Sequence, residues 1–159
     1  MNLFDQSQDD DILEITRALL TGESDPIANA ANLTALLFSR LPQLNWLGFY
    51  FARKNDLVLG PFQGQPACTR IALNRGVCGA AFSQNTTMVV PDVHAFPGHI
   101  VCDSASLSEI VVPFFVQGVI SGVLDVDSPV HDRFSETDRV FFEAVVQIYV
   151  DSLQNQSGK

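Results

Sequence analysis

The residues of this chain best suited to chemistry lie in one short segment. Val90 to Asp103 reads V-P-D-V-H-A-F-P-G-H-I-V-C-D, with a cysteine, two histidines and two aspartates among two prolines and a glycine. Proline and glycine at this density exclude regular secondary structure and predict a shaped loop. A rigid scaffold commonly presents a reactive group on such a loop. Cys102 is therefore the first candidate nucleophile, with His94 and His99 placed to tune its thiol. Its bland alternative, a small buried hydrophobe, fits poorly beside Asp103, Ser104 and Ser106.

The chain has only two other cysteines. Cys78, in R-G-V-C-G-A-A-F, falls at the start of a predicted short helix, where the helix end lowers a thiol pKa. Gly-Val-Cys-Gly equally suits close helix–sheet packing, so both readings stand. Cys68 follows Gln65-Pro66-Ala67 at a strand entrance. Cys68, Cys78, Cys102, His94 and His99 are all of zinc-ligand type. Their intervening spacings of nine, fifteen and four residues lack the short C-x₂₋₄-C pairs of structural zinc, and we expect no metal or other cofactor. The histidines otherwise read as hydrogen-bonding supports of the loop.

Carboxylates form the second group. Asp125 and Asp127 stand at i and i+2 of a predicted strand, on one face and about 7 Å apart. Acids facing inward from so apolar a strand are costly unless they hold a cation or a proton. Alternatively, Asp127 only caps the Ser-Pro turn that follows. Glu109 leads the preceding strand. A strict two-residue turn at Gln117–Gly118 puts it on the opposite face, whereas a bulge, hinted at by Pro113, restores it to the same one. If the three converge, each raises its neighbours' pKa and one stays protonated near neutrality. Such a site suits a small cationic or zwitterionic substrate whose oxygen is protonated as sulfur attacks.

Apolar residues Ile12, Ile15 and Leu19 recur at helical spacing from Asp9 and stop at Gly22. A second helix opens with Asp25 as N-cap and Pro26 at N1, carries Ile27, Leu33, Leu36 and Leu37, and ends before Pro42. Strands are predicted over Leu44–Ala52 and Leu57–Gln63 around a Lys-Asn-Asp turn, then Cys68–Leu73, a helix Gly76–Gln84, and a strand Thr86–Val90. Beyond the loop, Glu109–Val116 and Val119–Asp127 form a hairpin whose branched and aromatic residues imply cover on both faces. A last helix begins at Ser135, with Asp138 in a capping box and Phe141, Phe142, Val145, Val146, Tyr149 and Val150 as its apolar stripe. This order predicts one α+β domain over 1–159, with its ordered core at about 9–153. Its centre is a mainly antiparallel sheet with the N- and C-terminal helices packed on one face.

At 159 residues, 47% of them hydrophobic, the chain can bury a proper core. Its formal net charge of −9 disfavours nucleic acid and anionic membranes as partners. The start has neither the positive flank nor the apolar core of a signal peptide, and no apolar run reaches the roughly 18 residues of a membrane span. We therefore expect a cytoplasmic protein, in which three cysteines are free or catalytic rather than structural disulfides.

N-W-L-G-F-Y (45–50), L-V-L-G-P-F-Q-G-Q-P-A-C (57–68), R-G-V-C-G (75–79), V-P-D-V-H-A-F-P-G-H-I-V-C-D (90–103), S-E-I-V-V-P (108–113) and G-V-L-D-V-D-S-P (122–129) closely resemble free methionine-(R)-sulfoxide reductase, a GAF-domain family. The resemblance implies a homodimeric GAF fold that reduces free methionine sulfoxide. Cys102 matches the family's nucleophile, Cys68 its resolving cysteine, and Cys78 a third cysteine able to pair with Cys102. It further implies that Glu109, Asp125 and Asp127 are the substrate-binding and catalytic carboxylates, that Trp46 and Tyr50 wall the pocket, and that thioredoxin is the reductant. Two rivals are a GAF small-molecule sensor and a cysteine redox sensor without turnover.

Overall fold

A computed structural model describes residues 6–100 and 104–154. Within it, α1 (Gln6–Leu20) and α2 (Pro26–Arg40) lead into the hairpin β1 (Trp46–Arg53) and β2 (Asp56–Gly64). Then come β3 (Arg70–Ala72), α3 (Gly76–Gln84), β4 (Met88–Val90) and a 3₁₀ turn at Val93–Ala95. The hairpin β5 (Ser108–Val116) and β6 (Val119–Ser128) and the final helix α4 (Glu136–Gln154) complete the fold. The six strands form one sheet in the order β3-β2-β1-β6-β5-β4, with every neighbouring pair antiparallel. No helix among the described residues is long and apolar enough to cross a membrane.

Alternation along the central strands divides the interior into two cores. Leu47, Phe49, Ile110, Val112, Leu124 and Val126 face α1, α2 and α4. Trp46, Tyr50, Val111 and Val123 face the other way, toward Val77, Cys78 and Ala81 of α3 and Val93 of the loop. Both faces are covered, as the near-continuous apolar strands predict. Trp46, Tyr50, Cys78, Glu109, Asp125 and Asp127 all belong to the second face.

The predicted caps are present. Asp25 accepts from the N–H groups of Ile27 and Ala28, both at 2.9 Å, and Gly22 has φ +85°. Ser135 and Asp138 form a reciprocal box: the Ser135 N–H donates to Asp138 at 2.8 Å and the Asp138 N–H donates to Ser135 Oγ at 3.2 Å. Arg133 donates to the same aspartate at 3.0 Å, making a buried ion pair that ties the entry of α4 to the core.

The stripe of α1 differs from expectation. Ile12 is buried, but Ile15 and Leu19 are 38% and 40% exposed, and the inward line runs through Asp9, Ile12, Thr16 and Leu20. Thr16 is admitted because its hydroxyl donates to the Ile12 carbonyl at 2.7 Å, satisfying it within the helix. An apolar count alone passes over such a self-satisfied polar residue. Ile27 of α2 is likewise exposed, its place in the core taken by Ala30, Leu33 and Leu37. Strand ends shift by one or two residues, most at β3, which spans three residues and leaves Cys68 in the preceding loop.

Candidate active site

The parity of the β5–β6 hairpin decides whether the acids meet. The turn is the strict two-residue form: Val116 pairs with Val119, and Gln117 and Gly118 take φ +51° and +76°. Taken alone it would separate Glu109 from the aspartates. The register then shifts, because Phe115 pairs with Ile120 while Phe114 pairs with Gly122, leaving Ser121 as an extra residue in β6. Beyond this bulge Glu109 stands opposite Asp127, and Val111 opposite Asp125. Glu109, Asp125 and Asp127 consequently share one face and line one pocket. The bulge lies on the strand facing Pro113, two positions nearer the turn than the residue opposite that proline.

Strand β1 supplies the aromatic wall by the same register. Trp46 pairs with Asp127 and Gly48 with Asp125. Trp46 and Tyr50 stack at 5.9 Å between ring centres across the intervening Gly48. A Cβ on Gly48 would come within 2.5 Å of the Trp46 ring, so the absent side chain is what lets the indole lie flat over the strand. The indole N–H donates to the Gln65 carbonyl at 3.0 Å, and the Tyr50 hydroxyl donates to the Cys68 carbonyl at 2.8 Å. Both wall residues thus clamp the loop that carries Cys68.

Helix α3 closes the pocket from above with Gly76, Val77 and Cys78. The first N–H bonded within the helix is that of Gly79, to the Arg75 carbonyl at 3.0 Å, and Arg75 makes no side-chain cap. The leading N–H groups of α3 therefore sit uncapped at the pocket edge, where they favour an anion. Gly76 takes φ +63° at this edge, with Ile100 of the loop packed against the space a Cβ would fill.

Burial dominates the electrostatics. Glu109 and Asp125 are 6% and 7% exposed. Burial first, then the charges of Asp125 and Asp127 and a hydrogen bond to Asp125, push Glu109 well above the usual carboxylate range. Burial also raises Asp125, but the bonds it accepts from Glu109 and Cys78 pull it back. These shifts favour the proton on Glu109 over Asp125. Oδ1 of Asp125 is buried and makes no hydrogen bond among the described residues.

The three cysteines differ sharply. Cys68 is disulfide-bonded. Cys78 is a buried free thiol, and burial followed by the charges of Asp125, Glu109 and Asp127 pushes its pKa well up. The lowering expected from a helix start is therefore reversed: a half-charge at the helix end does not offset burial beside three acids. Cys102 lies outside the described residues. His99 lines the pocket, its pKa lowered by burial and by the charge of His94. His94 instead turns to Asp92 at 3.2 Å on the exposed side of the loop, the supporting role its type suggests.

A family model for the GAF domain matches residues 16–149. The chain is 53% identical over 121 residues to the free methionine-R-sulfoxide reductase of Escherichia coli, spanning 76% of this chain and 73% of that protein. It is 55% identical over 132 residues to protein YtsP of Bacillus subtilis, spanning 82% of this chain and 81% of that one. The reduced form of the Staphylococcus aureus fRMsr superposes with a TM-score of 0.91 at 46% identity, covering 96% of this chain and 99% of the other. The chain belongs to the free methionine-R-sulfoxide reductase family of GAF domains.

Within this GAF domain the structure brings together Trp46, Tyr50, Cys78, Glu109, Asp125 and Asp127, all expected from the sequence. It adds Ile71, Arg75 and Ser106, which sequence reasoning did not single out. Ser106 is buried and accepts from Asn45 Nδ2 at 3.0 Å, tying the exit of the active loop to the start of β1. Arg75 had a usable signal, as the cation directly before the glycine at the start of α3. Ser106 and Ile71 had none, since only tertiary packing brings them to the pocket.

Proposed function

We propose that this chain reduces free L-methionine-(R)-S-oxide to methionine with cysteine thiols as the electron source. The observation that carries the reading is the acid face: a protonated Glu109, an Asp125 with an open buried acceptor, and Asp127, meeting under Trp46 and Tyr50. In this reading Asp125 and Asp127 bind the substrate ammonium, the aromatic wall holds the S-methyl group, and the uncapped start of α3 takes the carboxylate.

The Cys102 thiolate attacks the sulfoxide sulfur. Glu109 gives its proton to the sulfoxide oxygen, which passes as hydroxyl to the Cys102 sulfur as the new sulfur–sulfur bond breaks, so methionine leaves and Cys102 becomes a sulfenic acid. The Cys68 thiol then attacks that sulfenic acid, forming a disulfide and releasing water. An external dithiol, thioredoxin in this reading, is oxidised as it returns both cysteines to thiols. Support for Cys68 as the resolving residue comes from its disulfide-bonded state and from the burial and raised pKa of Cys78, which keep the third thiol protonated. Cys102 is the partner this reading gives to Cys68. The reading includes a homodimer, which light scattering checks.

NADPH consumption in a coupled thioredoxin system tests the reading. The R epimer is expected to support turnover, the S epimer to give none above background, and Cys102→Ser to be inactive with both. Equal rates for the two epimers, or more than about a tenth of wild-type turnover in Cys102→Ser, would overturn it.

A further inference from the structure

We propose that the reduced pocket binds one thiophilic divalent cation, cadmium or zinc, between the Cys78 sulfur and the carboxylates of Glu109 and Asp125. One donor atom from each of the three lies within 4.8 Å of the others, and all three residues are buried. They come from three elements, α3, β5 and β6, so the cluster is held by tertiary packing rather than by a flexible loop. Zinc bonds of about 2.0–2.3 Å place tetrahedral donors roughly 3.3–3.8 Å apart, an inward adjustment of about an ångström. Asp125 Oδ1, buried and unbonded among the described residues, provides a ready acceptor in the cluster.

One dication against the three anionic donors, the Cys78 thiolate and the two carboxylates, leaves the cluster with a net charge of −1, so most of the buried charge is compensated by coordination. Among the described residues, Asp127, Tyr50, His99 and Arg75 are the other titratable or charged side chains lining the pocket. One thiolate with two carboxylates favours zinc or cadmium over magnesium or calcium. This set is distinct from the histidine-containing one considered from the sequence, because His94 is engaged by Asp92 outside the pocket. The site does not depend on the reductase reading. If both hold, metal and substrate compete for Asp125.

Cadmium titration of the reduced Cys68→Ser/Cys102→Ser double variant isolates Cys78. The expected result is one cadmium per chain, with the ultraviolet charge-transfer band of a single thiolate. Asp125→Asn or Glu109→Gln in that background is expected to weaken binding about tenfold or more. Cadmium NMR of the reduced wild-type protein, which needs no substitution, is expected to show a one-sulfur, oxygen-rich site. A missing band in a double variant with wild-type circular dichroism, unchanged affinity on removing either carboxylate, or a multi-thiolate NMR shift would overturn the site. The double variant has no turnover to lose, so failure here is separable from failure of the reductase reading.

Discussion

Glu109→Gln is expected to stabilise the fold near neutral pH while removing the proposed turnover. In the native protein burial and two neighbouring carboxylates hold the Glu109 pKa well above its ordinary value of 4.5. The unfolded chain releases this proton near that ordinary value, so above it the native state binds more protons than the unfolded one. Stability then falls by about 1.4 kcal/mol per pH unit, from the unfolded pKa up to the folded one. Below both values the penalty vanishes. The penalty accumulates at that slope for as long as the folded protein holds the proton. Glutamine places an N–H donor where the acid O–H stood and has no proton to release. For a chain of this length each kcal/mol gained corresponds to roughly 2–4 °C in Tm. Thermal melts of both reduced proteins from about pH 5 to about pH 7 measure it. His99 titrates in both proteins and cancels on subtraction, so the difference reports the coupled Glu109–Asp125 pair. A difference that stays flat across this range, or a variant less stable than wild type at neutral pH, would refute the burial argument.

Cys68→Ser is expected to release about one methionine per subunit from the reduced protein and then to stall under thioredoxin; steady cycling at the wild-type rate would move the resolving role to Cys78. Cys78 in the folded, reduced protein should be the slowest of the three thiols to alkylate, and timed mass spectrometry with a denatured control checks this. Gly48→Ala is expected to lower stability by about 1–3 kcal/mol through the clash with Trp46 and to raise KM, both readable from a melt and a saturation curve.

The legible parts of this molecule were those governed by local rules. Asp25, Gly22 and the Ser135–Asp138 box set helix ends by short-range hydrogen bonding, and each functions as read. Alternation in β5 and β6 put Asp125 and Asp127 on one face, because side-chain period along a strand is fixed. Glu109 was ambiguous for a physical reason: its face depends on whether one extra residue is inserted, and the local marks of a bulge, Pro113 and Gly122, do not fix that parity. The Cys78 thiol had two readings, a lowered pKa at a helix start or close packing, and only the burial beside three acids, which is not local, favours packing. Thr16, which replaces an apolar residue in the stripe of α1, is visible only once its bond to the Ile12 carbonyl is seen.

The most direct measurement takes the pre-reduced protein, without thioredoxin, and counts the thioether product released in a single turnover. Two substrates are compared at equal concentration: the free R epimer and its N-acetylated, C-amidated derivative. Blocking the amine removes the cation that Asp125 and Asp127 are proposed to bind, at about 1–3 kcal/mol for each lost partner. Each such loss is a factor of roughly 5 to 150. The account predicts about one methionine per subunit from the free amino acid and almost no N-acetylmethionine amide from the blocked one in the same interval. Equal release from the two would contradict the claim that the acid face recognises a free amino acid.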